Sequence, residues 1–70
     1  MTLKELGEEL GKLLVEIIEQ KTEEKTRTIR DEIQRWIEDI SQSLSKEVDQ
    51  RIKEVFLGAI GFLKQYLEEN

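Results

Sequence analysis

An apolar stripe with an eleven-residue period runs from Ile29 to Tyr66 and restricts this chain more than any other feature. Strides of four, four and three land on Ile29, Ile33, Ile37, Ile40, Leu44, Val48, Arg51, Val55, Ala59, Phe62 and Tyr66, and of these only Arg51 is charged. Heptad strides from Ile29 give Ile33, Trp36 and Ile40 but then Ser43, Glu47, Gln50 and Glu54, so a seven-residue template fails early. Eleven residues in three turns is about 3.67 per turn, which favours straight or mildly right-handed packing of a long helix. The stride passes Ser41, Ser43 and Ser45 without a slip. It therefore predicts one helix over about 28–68 with those serines on its polar face, the alternative being a loop at 41–45.

Such a stripe has to be covered by other helices, and composition points the same way. The chain has 70 residues, no Pro, 39% charged side chains and 6% aromatic ones, a profile of helical bundles and coiled coils. At this length a lone chain buries only about 60% of its unfolded surface, so partners are expected. Neither Cys nor His is present, which removes disulfides and the usual zinc and haem ligands. A net charge of −5 argues against nucleic acid. The mildly basic centre, Lys21, Lys25, Arg27, Arg30 and Arg35, is interleaved with Glu23, Glu24, Asp31 and Glu32 and reads as a self-neutralising surface. No basic segment followed by an apolar run opens the chain, so the expected location is cytoplasmic.

A first helix is readable over about 2–20. Leu3, Leu6, Leu10, Leu13 and Ile17 step by three and four, Leu14 and Ile18 widen the stripe, and Thr2 with Glu5 forms a capping box. Gly7 and Gly11 lie four apart at one edge of that face. Each costs about 1 kcal/mol against Ala in a helix. Either a neighbouring helix approaches closely enough to compensate, or the first turn is frayed and the glycines are tolerated.

Residues 19–28 contain no apolar side chain, and Thr22 and Thr28 are both suited to cap a following helix. The run also lacks Gly, Pro, Asn and Asp, so a polar connection over about 21–27 competes with a continuous helix of thinned core. The last segment, VFLGAIGFL from Val55 to Leu63, is apolar almost all round. At about 1.5 Å per residue it is too short to span a bilayer core of roughly 30 Å.

Nothing in the chain assembles a catalytic set: there is no His, Cys or glycine-rich phosphate loop, and a cofactor is not expected. Glu16 with Glu19, or Asp39 with Asp49, can be imagined as metal ligands, yet without the Glu-x-x-His pairs of bundle di-metal sites they read as solvated faces. Arg51 is expected to pair with Glu47 and Glu54 while Ile52 takes its place in the core.

The expected object is an all-α single domain over residues 1–70: a short N-terminal helix plus a long amphipathic helix, packed as a hairpin or coiled coil in an oligomeric bundle. An antiparallel hairpin dimer, a single long helix in a multi-stranded coiled coil and a compact three-helix monomer are the forms it can take. The expected oligomer interface comprises Leu6, Leu10, Leu13, Ile17, Ile29, Ile33, Trp36, Ile37, Ile40, Leu44, Val48, Ile52, Val55, Phe56, Ala59, Phe62, Leu63 and Tyr66. The expected function is a non-enzymatic self-associating scaffold or protein–protein interaction module, its partner a second copy or another helical protein. The rival is a membrane-surface binder using residues 52–67, weakened by the sparse basic residues there, Lys53 and Lys64.

Overall fold

Thr2 begins the first helix as the capping box requires: Glu5 N–H donates to Thr2 Oγ1 at 3.1 Å, and Thr2 N–H donates to Glu5 Oε1 at 2.8 Å. Two amides without helical partners are thus satisfied reciprocally. The computed structural model describes residues 1–21 and 26–69, the side chains of residues 21 and 26–28 excepted. They form three helices, α1 (Leu3–Lys21), α2 (Thr26–Lys46) and α3 (Gln50–Glu69). The all-α expectation holds. The connection expected near residues 21–27, with Thr22 as a cap, falls largely outside the described residues; α2 is already helical at Thr28.

The continuous helix over 28–68 does not exist, because the chain breaks at residues 47–49. The break has a local cause. Ser45 Oγ donates to the Gln42 carbonyl at 2.7 Å, and Glu47 N–H donates to Leu44 at 3.2 Å, so the last turn of α2 closes on itself. The Glu47 carboxylate then accepts the N–H groups of Val48 and Asp49 at 3.2 and 3.4 Å. Asp49 Oδ1 accepts Arg51 N–H at 2.9 Å and so caps α3. Val48, a core position in the eleven-residue register, lies in this link and is 90% exposed. Arg51 pairs with Asp49 at 3.5 Å instead of with Glu47 or Glu54, and Ile52 is left partly open.

With the break in place α3 turns back along α2 and takes α1 as its main neighbour. Four contacts fix the directions. A Cβ built on Gly7 would fall on the Val55 carbonyl oxygen, one on Gly58 on the Lys4 carbonyl oxygen, and one on Gly11 would meet Ala59 O and Phe62 Cβ at 3.1 Å. Further along, Tyr66 Oη donates to Glu19 Oε2 at 2.7 Å. Residue numbers rise together on both sides, so α1 and α3 are parallel. Arg30 Nη1 donates to the Leu67 carbonyl at 2.8 Å, which sets the start of α2 beside the end of α3 and makes α2 antiparallel to both.

Gly7 and Gly11 are therefore seam residues, and the frayed-turn alternative is excluded. Their missing side chains let two backbones approach closely, the arrangement that small residues four apart permit in any solvent. The core lies beside this seam: Val15, Ile18, Ile33, Ile37, Ile60 and Leu63 are buried, with Ile29, Ile40, Leu44, Phe62, Tyr66 and Leu67 packed around them. Within α2 the stride from Ile29 to Leu44 does face inward, and Ile33 is fully buried. On α1 the buried face is Gly7, Gly11, Val15 and Ile18, one edge of the apolar stripe and not its centre.

Candidate interaction surface

The eighteen residues expected at an oligomer interface separate into two groups once the chain is folded. Ile33, Ile37, Ala59 and Leu63 are buried, and Ile29, Ile40, Leu44, Val55, Phe56, Phe62 and Tyr66 are partly buried, all within one chain. These need no partner to leave water. Leu6, Leu10, Leu13, Ile17, Trp36, Val48 and Ile52 remain exposed.

Four of the exposed residues form a continuous ridge. At about 100° per residue Leu6, Leu10, Leu13 and Ile17 fall within about 60° of one another, centred about 110° away from Gly7, Gly11 and Ile18. Leu13 is 52% and Ile17 50% exposed. The other edge of the buried face of α1 carries Lys4, which lines a surface pocket with Glu54, Leu57 and Gly61 of α3. The Leu6 to Ile17 ridge is consequently turned to the α2 side.

The same reasoning orients α2. Arg30, Gln34 and Ile37 line a pocket with Lys64, Leu67 and Glu68 of α3. The opposite edge of the inward face of α2, carrying Trp36 with Glu32 and Asp39 beyond it, is thereby turned to the α1 side. Yet α1 and α2 touch only lightly. On this side of the bundle the α1 ridge and Trp36 of α2 are exposed apolar groups. Counting from the Glu19–Tyr66 and Arg30–Leu67 contacts places Trp36 near the level of Leu14, Glu32 near Ile18 and Asp39 near Gly11.

Beyond these apolar groups both helices carry mixed charge, with Lys12 between Glu9 and Glu16 on α1 and Arg35 between Glu32 and Asp39 on α2. On α1 the positions next outside the ridge are Glu9 and Glu16, both exposed; on α2 they are Glu32, half-buried, and Asp39, exposed. Two ionisable groups elsewhere are displaced from their ordinary range. The Glu5 carboxyl is held low by the amide and hydroxyl of Thr2, and the Tyr66 hydroxyl is pushed up by its hydrogen bond to the Glu19 carboxylate, with partial burial and the charge of Glu19 adding to it. Both belong to helix ends.

Of the carboxylates considered as metal ligands, Glu16, Glu19 and Asp39 are exposed and Asp49 caps α3. No group of three His, Cys, Asp or Glu able to hold a metal ion occurs among the described residues. Sequence reasoning missed Val15 as a core residue, and the signal was available: Gly7, Gly11, Val15 and Ile18 step by four, four and three. Among the described residues no helix is long and apolar enough to cross a membrane. Comparison with protein-family models, curated proteins and solved structures finds no match.

Proposed function

We propose that this chain is a non-enzymatic protein–protein interaction module, and that it works by docking an amphipathic helix of another protein onto the exposed ridge of α1. The observation that carries this reading is the α1 ridge. Four large aliphatic side chains at helical spacing on one helix stay about half exposed in the folded chain. Fully burying one such side chain contributes about 1.5–3 kcal/mol, so covering the exposed half of all four contributes roughly 4 kcal/mol to whatever docks there. The anchors fall at i, i+4, i+7 and i+11, the arrangement that helix-in-groove recognition reads.

The reading is tested by replacing Leu6, Leu10, Leu13 and Ile17 together with Ser. A surface made for a partner is dispensable to the fold, so the variant is expected to keep its helicity and to melt within a few degrees of the parent, while losing binding of a hydrophobic dye. Loss of helical structure in that variant would show that the ridge is core and would remove the proposal.

A second reading, self-association, is favoured by one observation: gaps of four, three and four read the same from either end of α1. Two antiparallel copies would set Leu6 against Ile17 and Leu10 against Leu13, as a two-fold interface requires. Sedimentation equilibrium from about 10 µM to 1 mM reads it, a mass rising from 8.3 kDa toward twice that value being the positive result. The membrane-surface reading draws less support. Ala59, Ile60 and Leu63, the centre of the apolar stretch over 52–67, are buried against other parts of the chain and would have to be released to meet lipid.

A further inference from the structure

We infer that this chain, besides folding on itself, exchanges α3 with a second copy by straightening the link at residues 47–49 into one helix that joins α2 to α3. The link is suited to this. It is three residues long, contains no Gly, Pro or Asn, and lies between the good helix formers Lys46 and Gln50. Side-chain chemistry holds it bent: Ser45 donates to the Gln42 carbonyl, Glu47 accepts the N–H groups of Val48 and Asp49, and Asp49 accepts the Arg51 N–H. In a straight helix those three amides turn to the carbonyls four residues before them, so none loses a partner.

At this point the apolar pattern suits the straight form better than the bent one. On a continuous helix Leu44, Val48 and Val55 fall within about 40° of one another, and Val48 falls in line with Arg30 and Ile37, which α2 turns toward α3. In the folded chain Val48 is 90% exposed. Straightening one chain alone is unfavourable, because it strips Ile60 and Leu63 from the core and uncovers Gly7 and Gly11. The vacated seam is shaped to backbone: Gly7 admits the Val55 carbonyl, Gly11 admits Ala59, and Gly58 admits the Lys4 carbonyl. The segment that fits it is therefore another α3. A second open copy supplies one and needs one in return, which closes a two-fold pair. Because α2 and α3 are antiparallel, the two long helices run antiparallel and their links meet at the two-fold axis, where each Val48 gains a covering helix. The exchange leaves the α1 ridge in place and does not rest on it.

The test uses the absence of cysteine from the chain and a pocket that spans the α1–α3 seam. Lys4 of α1 and Leu57 of α3 line that pocket, and both are exposed. The full chain carrying Lys4→Cys and Leu57→Cys is refolded at about 1 mM, where mass action favours association, then separated by gel filtration and bridged with a short bis-maleimide. A dimer fraction is expected whose bridged chains run on a denaturing gel at twice 8.3 kDa, while the bridged monomer fraction runs at 8.3 kDa. On dilution to about 10 µM this dimer should persist far longer than a surface pair, since its return requires α3 to leave the core. Small-angle scattering should find it elongated, a helix over residues 26–69 being about 66 Å long against a longest extent of 37 Å for the folded chain. In the same background Glu47→Ala with Asp49→Ala removes the side chains that hold the bend and should raise the dimer fraction several-fold. Gly-Ser-Gly-Ser inserted after Val48 interrupts the straight helix and should abolish the dimer.

The outcomes separate. A dimer whose bridge stays within one chain is a pair of closed molecules joined by their surfaces; it overturns the exchange and leaves self-association through the α1 ridge standing. A dimer bridged between chains that forms as readily in the insertion variant overturns the straightening of the link. Absence of any dimer from the chain with its own link overturns the inference, whatever the variants do, and leaves the interaction module untouched. Circular dichroism checks that the variants keep their helices, and if the Glu47→Ala, Asp49→Ala protein fails to fold, the insertion variant decides the part played by the link.

Discussion

Alanine at Gly7 and at Gly61 should move stability in opposite directions, although both glycines lie inside helices. On intrinsic propensity alone either change is favourable by about 1 kcal/mol. At Gly61 nothing lies within 4 Å of the new methyl group, so Gly61→Ala should realise that gain and raise the melting temperature by roughly 4–8 °C in a domain of this size. At Gly7 the methyl group would fall on the carbonyl oxygen of Val55, with Val55 C at 2.8 Å and Ala59 N at 3.0 Å. Those atoms are backbone, and no rotamer change moves them aside.

Gly7→Ala can therefore be accommodated only by separating α1 from α3 by about 1 Å or more. A gap of 0.5–1 Å already forfeits about a quarter to a half of each dispersion contact across an interface. The seam and the core beside it, Val15, Ile18 and Ile60, lie on that interface, so the loss is shared among many atoms. Overpacking of this kind costs about 1–3 kcal/mol or more and should outweigh the propensity gain. Gly58→Ala meets the Lys4 carbonyl in the same seam, so the double variant should lose less than the sum of the two single losses, because helices already pushed apart tolerate a second methyl group. Urea unfolding of the four variants measures all of this. If Gly7→Ala proves as stabilising as Gly61→Ala, the parallel close approach of α1 and α3 is wrong.

Other consequences follow from the helix ends and the link. Asp49→Ala should cost about 1 kcal/mol by removing the cap of α3, while Val48→Asp, in the exposed link, should leave urea stability nearly unchanged; Leu44→Asp, against the core, should unfold the chain. The Glu5 carboxyl is lower in the folded chain than in the unfolded one, so its contribution is present at neutral pH and lost as pH falls through its lowered range. Thr2→Ala should thus reduce stability at pH 7 and have less effect at about pH 2. Tyr66 shifts the other way: its bond to Glu19 contributes below the ordinary tyrosine range and is lost as pH rises through the raised value, a loss that Tyr66→Phe should abolish in alkaline melts.

Much of the fold was legible because helices announce themselves locally. The capping box at Thr2 and Glu5, the three-four stride of α1 and the inward stride from Ile29 to Leu44 all appear in the folded chain. The break at residues 47–49 was not legible from hydrophobic spacing, because the stride continues across it: Leu44, Val48 and Val55 keep the register while the backbone does not. Capping chemistry marked the spot instead. Asp49 has the short carboxylate that suits a cap, and Ser45 competes for a helical carbonyl just before it, both without any Gly or Pro. The α1 face was misjudged for a related reason. A hydrophobic count favours the ridge of three leucines and one isoleucine, whereas the seam was chosen by the residues that have least side chain.

That inversion is what exposes the ridge. Had α1 turned its richest apolar face to α3, Leu6, Leu10, Leu13 and Ile17 would have held the two backbones at ordinary helix spacing, and no large aliphatic stripe would remain on its surface. Docking through Gly7, Gly11 and Gly58 instead brings the backbones together and covers α3 with the smallest part of α1. The rest of the stripe is left exposed, as is Trp36 on α2. Close packing of one helix pair and exposure of the ridge are thus a single choice of helix phase. A variant that loosens the seam would let α1 rotate, and that rotation would turn part of the ridge inward. Gly7→Ala should accordingly weaken binding of a hydrophobic dye to the ridge even at temperatures where the chain remains folded, and dye titration well below its melting point measures that coupling.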